Sequence, residues 1–323
     1  MFGQTTIRAV LLFVLGIVSA GLEAQPYPSR TVRLIVPFTP GGGTDIVGRL
    51  LAAKLAETLG QQVIVDNRPG AGTVIGSDLL AKSAPDGHTL IMQVNSLAAN
   101  HALYKKLPYD TLRDFTPVIL AASTPNVLVV HPSLPAANVR EFVALAKRRP
   151  DEIAYASSGV GGASYLATEM FKLDTGTKMI HVPYKGTAPA LTAIISGEAQ
   201  VMIAALPGTV PTLNAKRLRA LGVTSAKRAA AMPELPTLAE SGIKDFEFAT
   251  WYGLFAPGSV SRDIVAKLNA SVNNILAMPD VKAQFERQGL EPAGGTAEEF
   301  ARYFKTEVEK LGKVIRASGA KVE

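Results

Sequence analysis

Along the chain, apolar runs with a strand's period alternate with apolar stripes at a helix's period. Val32–Val36 is a mostly apolar run rich in β-branched residues, which reads as a buried strand. After it, Ile46, Val47, Leu50, Leu51, Leu55 and Leu59 fall on one helix face, with Thr44 as N-cap. Further strands are expected at Gln62–Val65 and Thr89–Val94, with a helix running to about Ser83 between them. Val118–Val130 reads as extended but interrupted at Ser123-Thr124-Pro125-Asn126. Asn138 with Glu141 caps the next helix. Then come a strand at Ile153–Ala156, a helix to about Leu173, a strand at Lys178–Val182 and a helix to Ser196. Gln200–Ala204 and Leu218–Thr224 complete the predicted strands. Ser261–Ala277 is a helix with Pro279 past its end, and Thr296 with Glu299 forms a capping box for a last helix carrying Phe300, Phe304, Leu311 and Ile315. Such alternation predicts an α/β fold, a parallel sheet with helices on both faces.

Two connections in this pattern are poor in side chains. Phe38-Thr39-Pro40-Gly41-Gly42-Gly43-Thr44-Asp45 joins the first strand to the first helix, and Ser157-Ser158-Gly159-Val160-Gly161-Gly162-Ala163-Ser164 repeats the arrangement about 120 residues later. Glycine lets backbone amides approach a ligand, and the first turn of a helix leaves its N–H groups unpaired, so each turn suits a small anion. Each equally suits a tight connection holding nothing. Neither is a Walker loop or a complete dinucleotide fingerprint. In open α/β sheets ligands sit beyond the carboxyl ends of the strands, where both turns lie.

The 323 residues are 47% apolar and 19% charged, an ordinary globular composition with length for about two domains. Arg8 followed by the apolar stretch Ala9–Ala20 reads as a signal peptide, with cleavage after Ala20 or Ala24. That run is too short to span a bilayer. Export invites disulfides, yet the chain has no cysteine, so its core must hold it together, and no lipid anchor on cysteine is available. The net charge of +6 comes from scattered basic residues without interleaved aromatics, which disfavours nucleic acid.

Catalytic chemistry finds little support. His88, His101, His131 and His181 show no zinc spacing and read as surface or turn histidines; no G-x-S-x-G occurs. Lys185, in the turn Pro183-Tyr184-Lys185-Gly186-Thr187, is the best candidate for a Schiff-base or phosphate-binding lysine, with a rim lysine as the alternative. Asp45 in a helix's first turn suits the dipole as well as a base. Phe38, Tyr165 and Trp251 are candidates for an aromatic wall or for plain core. No cofactor or metal is expected.

The ordered set of motifs resembles the solute receptors of tripartite tricarboxylate transporters, the Bug-type receptors. The resemblance rests on Val32-x-Leu34-Ile35-Val36-Pro37-Phe38 with Pro40-Gly41-Gly42-x-x-Asp45, on Asn67-Arg68-Pro69-Gly70-Ala71-Gly72, on Pro85-Asp86-Gly87, on Val182-Pro183-Tyr184-Lys185-Gly186 and on Trp251-Tyr252-Gly253. It implies a type II periplasmic-binding fold of two Rossmann-like lobes. Residues 1–24 would be signal peptide, 25–125 with 246–323 the discontinuous first lobe, and 126–245 the second. It further implies a carboxylate held between the lobes by backbone amides, with ligand contacts from Phe38, Thr39, Pro40, Gly41, Gly42, Gly43, Thr44, Asp45, Ser96, Ser157, Ser158, Gly159, Gly161, Gly162, Ala163, Ser164, Tyr165 and Ala204. Tyr165 replaces a histidine and Ala204 an aspartate of many relatives, and loss of that acid makes an amino acid ligand less attractive. The implied partners are a small organic acid, a di- or tricarboxylate or an aromatic acid, and integral-membrane transporter subunits, with the protein itself a monomer. A chemosensory receptor for the same acids, and an exported enzyme using Lys185 or Asp45, stand as alternatives.

Overall fold

A computed structural model describes residues 27–320, and the expected signal peptide lies outside the described residues. The first strand, β1 (Val32–Val36), is flanked in parallel by β2 (Val63–Asn67) and β3 (Thr89–Gln93). Helix α1 (Gly43–Leu59) covers one face of this trio, burying Val47, Leu51 and Leu55. A short 3-10 turn at Ala71–Thr73 precedes α2 (Val74–Ala81), and α3 (Asn95–Leu103) leaves the end of β3.

The sheet is not wholly parallel. Beyond β3 comes β9 (Ala249–Pro257), which is antiparallel to both β3 and β4 (Phe115–Val130). Alternating strand and helix patterns conceal this, because β9 is apolar at almost every position and carries neither period; it is buried on both sides. β4 also differs from expectation. It runs without a break for 16 residues, Pro125 included, and changes partner instead. Phe115–Pro125 pairs with β9, whereas Asn126–Val130 pairs with β7 (Val201–Ala205).

The second half of the sheet is built by β5 (Ala154–Ser157), β6 (Ile180–Pro183) and β7, with β8 (Arg219–Val223) also paired to β4. Its helices are α4 (Val139–Arg148), α5 (Ala163–Thr175), α6 (Thr187–Ser196) and the short α7 (Val210–Asn214). The strand order is β2-β1-β3-β9-β4-β7-β5-β6.

Several caps fall as their residues predict. Asn138 accepts the Glu141 amide, Ser261 caps α8 (Arg262–Ala277), and Thr296 and Glu299 form the reciprocal box that opens α10 (Ala297–Ser318). Pro279 does more than end α8, since it opens a further helix, α9 (Pro279–Arg287). A proline is harmless in a first turn because its missing N–H would be unpaired there anyway. The two-residue strand β10 (Glu291–Pro292) pairs with β4. α10 packs over α3, β4 and α5, and so touches both halves of the sheet. Beneath it Trp251, Phe255, Phe300 and Phe304 form an edge-to-face and tilted aromatic cluster.

Candidate functional site

Both glycine-rich turns border one cavity, at the carboxyl ends of β1 and β5. Its wall is formed by Phe38, Gly42, Gly43, Thr44, Val94, Ser158, Ala163, Ser164, Thr187, Ala205, Thr250 and Tyr252. With its mouth the cavity spans about 400 Å³, little of it open inside, so it is a narrow slot.

Four helices begin at this slot. α1 is N-capped by Gly42, α5 by Gly162 and α6 by Gly186, and none of these three starts has a side-chain cap hydrogen bond. The fourth, α3, begins after Val94, also without a side-chain cap. The expected N-cap, Thr44, is instead the second residue inside α1. A helix start headed by glycine keeps its amides bare where serine, threonine or aspartate would satisfy one of them. The macrodipole of each of these helices adds partial positive charge at its own start. The third start, at Gly186–Thr187, is the part that residue patterns assigned only to a turn.

The expected contacts divide into two groups. Phe38, Gly42, Gly43, Thr44, Ser158, Ala163 and Ser164 line the slot. The remaining ones stand behind it. Asp45 is buried and faces away: its carboxylate accepts from the Gly41 amide at 3.0 Å, from Arg49 at 2.9 Å and from the Asn67 side chain at 2.9 Å. Burial alone would raise its pKa, but these donors bring the carboxyl below its ordinary value. Asp45 is thus a brace for the turn, and Gly41 takes the positive φ of 87° that the brace requires.

Ser157 also acts from behind. Its hydroxyl accepts from the Gly159 amide at 3.1 Å and pairs with the His181 ring at 2.7 Å. His181 is no surface histidine, for it lies between the rings of Tyr155 and Tyr165, each 4.8 Å from it. Desolvation pushes its pKa down to about 4, against the pull of Glu169 and with help from Lys172. Tyr165 therefore walls His181 rather than the slot. His88 is likewise buried, accepting from the Ser29 amide.

Thr39, Pro40, Gly41, Gly159, Gly161, Gly162, Ser96 and Ala204 do not line the slot either. The Ser96 hydroxyl accepts from Thr73 in the interior at 3.3 Å. Ala204 faces the core, and its neighbour Ala205 faces the slot, as the period-two alternation of a strand requires. The same alternation separates Trp251 from its neighbours. Trp251 turns to the aromatic cluster, and its indole donates to Glu307 at 3.0 Å, while Thr250 and Tyr252 face the slot. Lys185 is exposed, and only its backbone takes part: its carbonyl accepts from the Thr39 amide at 3.2 Å, across the slot. Val94, Thr187, Ala205, Thr250 and Tyr252 were not foreseen as wall residues. Thr187 and Tyr252 stood in quoted motifs, beside Lys185-Gly186 and Trp251 respectively.

The two sides of the slot meet closely around it. A Cβ on Gly161 would lie 2.8 Å from Asn100 Oδ1, and one on Gly72 would lie 2.5 Å from the Val160 carbonyl. Among the described residues no cluster of three or more His, Cys, Asp or Glu side chains is placed to hold a metal ion.

Solved structures with this arrangement include a periplasmic binding protein. The periplasmic binding protein BugD matches with a TM-score of 0.88 at 32% identity, covering 92% of this chain and all of that one. The R. palustris protein Rpa4515, solved with adipate, matches at 0.89 and 38% identity over 92% of this chain and 100% of its own. MatC from Rhodopseudomonas palustris, with bound malate, matches at 0.86 and 33% identity over 90% and 100%. The fold is thus the type II periplasmic-binding fold, with two Rossmann-like lobes and a cleft between them. The sequence model of the tripartite tricarboxylate transporter family receptor matches residues 47–320, and the chain belongs to that family of periplasmic, Bug-type solute-binding receptors.

Proposed function

We propose that this receptor closes two lobes, residues 25–125 with 246–323 and residues 126–245, on a small organic carboxylate. It then delivers the unchanged acid to the membrane subunits of a tripartite tricarboxylate-type transporter. It works as a monomer, and its signal peptide at residues 1–24 is removed on export. The change of partner along β4 between Pro125 and Asn126 supports the lobe division.

The observation that carries the reading is the convergence of three glycine-headed helix starts on one slot. Hydrogen bonds to a charged group contribute about 1.5–3 kcal/mol each, and a helix terminus about 0.3–2 kcal/mol. A micromolar complex needs about 8 kcal/mol net of association costs. One helix start falls short of that, and three reach it. The acids seen in the related structures, adipate and malate, are slim aliphatic dicarboxylates. A slot whose sides meet backbone to backbone around it favours that shape over an aromatic acid.

Calorimetric titration with adipate, malate, citrate and benzoate, with the diamides as controls, tests the reading. Saturable binding of aliphatic diacids with recovery of the unchanged acid is expected. Equal binding of the diamides, or release of a product, overturns it.

A further inference from the structure

Three of the polar side chains that line the slot are committed to protein partners. The Ser158 and Ser164 hydroxyls pair at 2.9 Å, and Ser164 also accepts from the Ser158 amide at 2.7 Å. Thr250 donates to Asn126 Oδ1 at 2.8 Å. Tyr252 differs from the other lining residues in burying a hydroxyl that is not committed. It is 1% exposed, it lines the slot, and among the described residues its hydroxyl has no hydrogen-bond partner.

The placement of that hydroxyl has a local cause. β9 sends Thr250 and Tyr252 to one face and Trp251 to the other, and the phenol ring extends toward the first turn of α1. There Gly43 makes room, since a Cβ at that position would collide with the hydroxyl and come within 3.3 Å of Pro207. The oxygen thus sits against the first turn of α1, a helix start with no side-chain cap. Burial holds the phenol in its neutral form, so it retains its proton and does not repel an anion. A buried hydroxyl with no partner carries a desolvation penalty that a ligand oxygen would remove.

We infer that Tyr252 contacts the ligand and sets specificity, its O–H donating to the same carboxylate oxygen that the α1 amides hold. This deepens the carboxylate-receptor reading and rests on it. Donors from α1 and from β9, the strand on which the chain returns from the second lobe to the first, then meet on one oxygen. A ligand with an ammonium or methyl group at that position leaves every one of those donors unpaired, so the tyrosine selects for an oxygen acceptor there.

The variant that isolates the hydroxyl is Tyr252→Phe, which keeps the ring. Adipate and malate are titrated into wild type and variant, and both proteins are melted without ligand. The expected result is an affinity loss of roughly 10- to 100-fold for a bond to a charged acceptor, with free Y252F melting no lower than wild type. Unchanged affinity in Y252F overturns the inference. A free Y252F that melts well below wild type also overturns it, because the hydroxyl would then serve the fold. A wild type that binds neither acid instead overturns the carboxylate reading beneath it, an outcome separate from the other two.

Discussion

The side-chain amide of Asn67 bridges Asp45 and the start of its turn, donating to the Asp45 carboxylate at 2.9 Å and to the Phe38 carbonyl at 3.0 Å. One side chain at the end of β2 thereby fixes both ends of the loop that leads from β1 into α1. The slot's first helix start is tied down by Asn67 and Asp45, which do not line the slot.

Asp45 supplies a pH signature for that brace. Its carboxyl lies below the ordinary value in the folded protein, so the folded state binds the proton less tightly than the unfolded chain does. The stabilisation is complete above the unfolded pKa of about 3.9 and is lost as pH falls through the folded value. Asp45→Asn should cost about 1–3 kcal/mol at pH 7, and the gap from wild type should shrink at pH 3. Urea midpoints at the two pH values measure it.

His181 has the opposite chemistry and the same sign. Its folded pKa, pushed down to about 4, lies below the unfolded value of about 6.5. Between these values the unfolded chain holds more protons, so stability rises with pH across that window. His181→Gln should flatten this part of the profile, as chemical denaturation from pH 4 to pH 7 would show.

Gly42 separates stability from binding. It has an extended backbone with φ of −85°, and a Cβ there would lie at an ordinary 3.6 Å from the Thr187 Cβ. Gly42→Asp should cap α1 and raise the melting free energy by a few tenths of a kcal/mol. The same carboxylate occupies the amides and repels an acid, so ligand-induced stabilisation should vanish. A thermal-shift assay with and without adipate reads both effects.

Thr296 tests a cap far from the slot. Thr296→Ala removes the acceptor for the Glu299 amide, and a loss of about 1 kcal/mol is expected with unchanged ligand affinity. Guanidinium unfolding and calorimetry measure the two halves of that statement.

Local features in this chain were legible because neighbours in sequence decide them. The Thr296–Glu299 box, the Asn138 cap and the strand Val32–Val36 need nothing distant. Both glycine-rich turns were legible for the same reason. What lay hidden depended on partners far along the chain. The antiparallel place of β9, the unbroken path of β4 through Pro125, and the approach of Gly186 to Thr39 arise only when the two halves of the sheet meet. Side-chain direction within a strand was hidden too. Trp251 and Tyr252, or Ala204 and Ala205, differ by one residue, and only tertiary packing decides which of each pair faces the slot. The choice of Thr44 over Gly42 as N-cap follows residue preference, which loses where bare amides are left at a site.

The central claim concerns backbone amides, and amide resonances report on them directly. In a titration of isotope-labelled protein with adipate, the N–H signals of Gly43, Thr44, Ala163, Ser164 and Thr187 should shift downfield together and saturate at one ligand per chain. Saturation by adipate while those five amides keep their free positions would contradict the account.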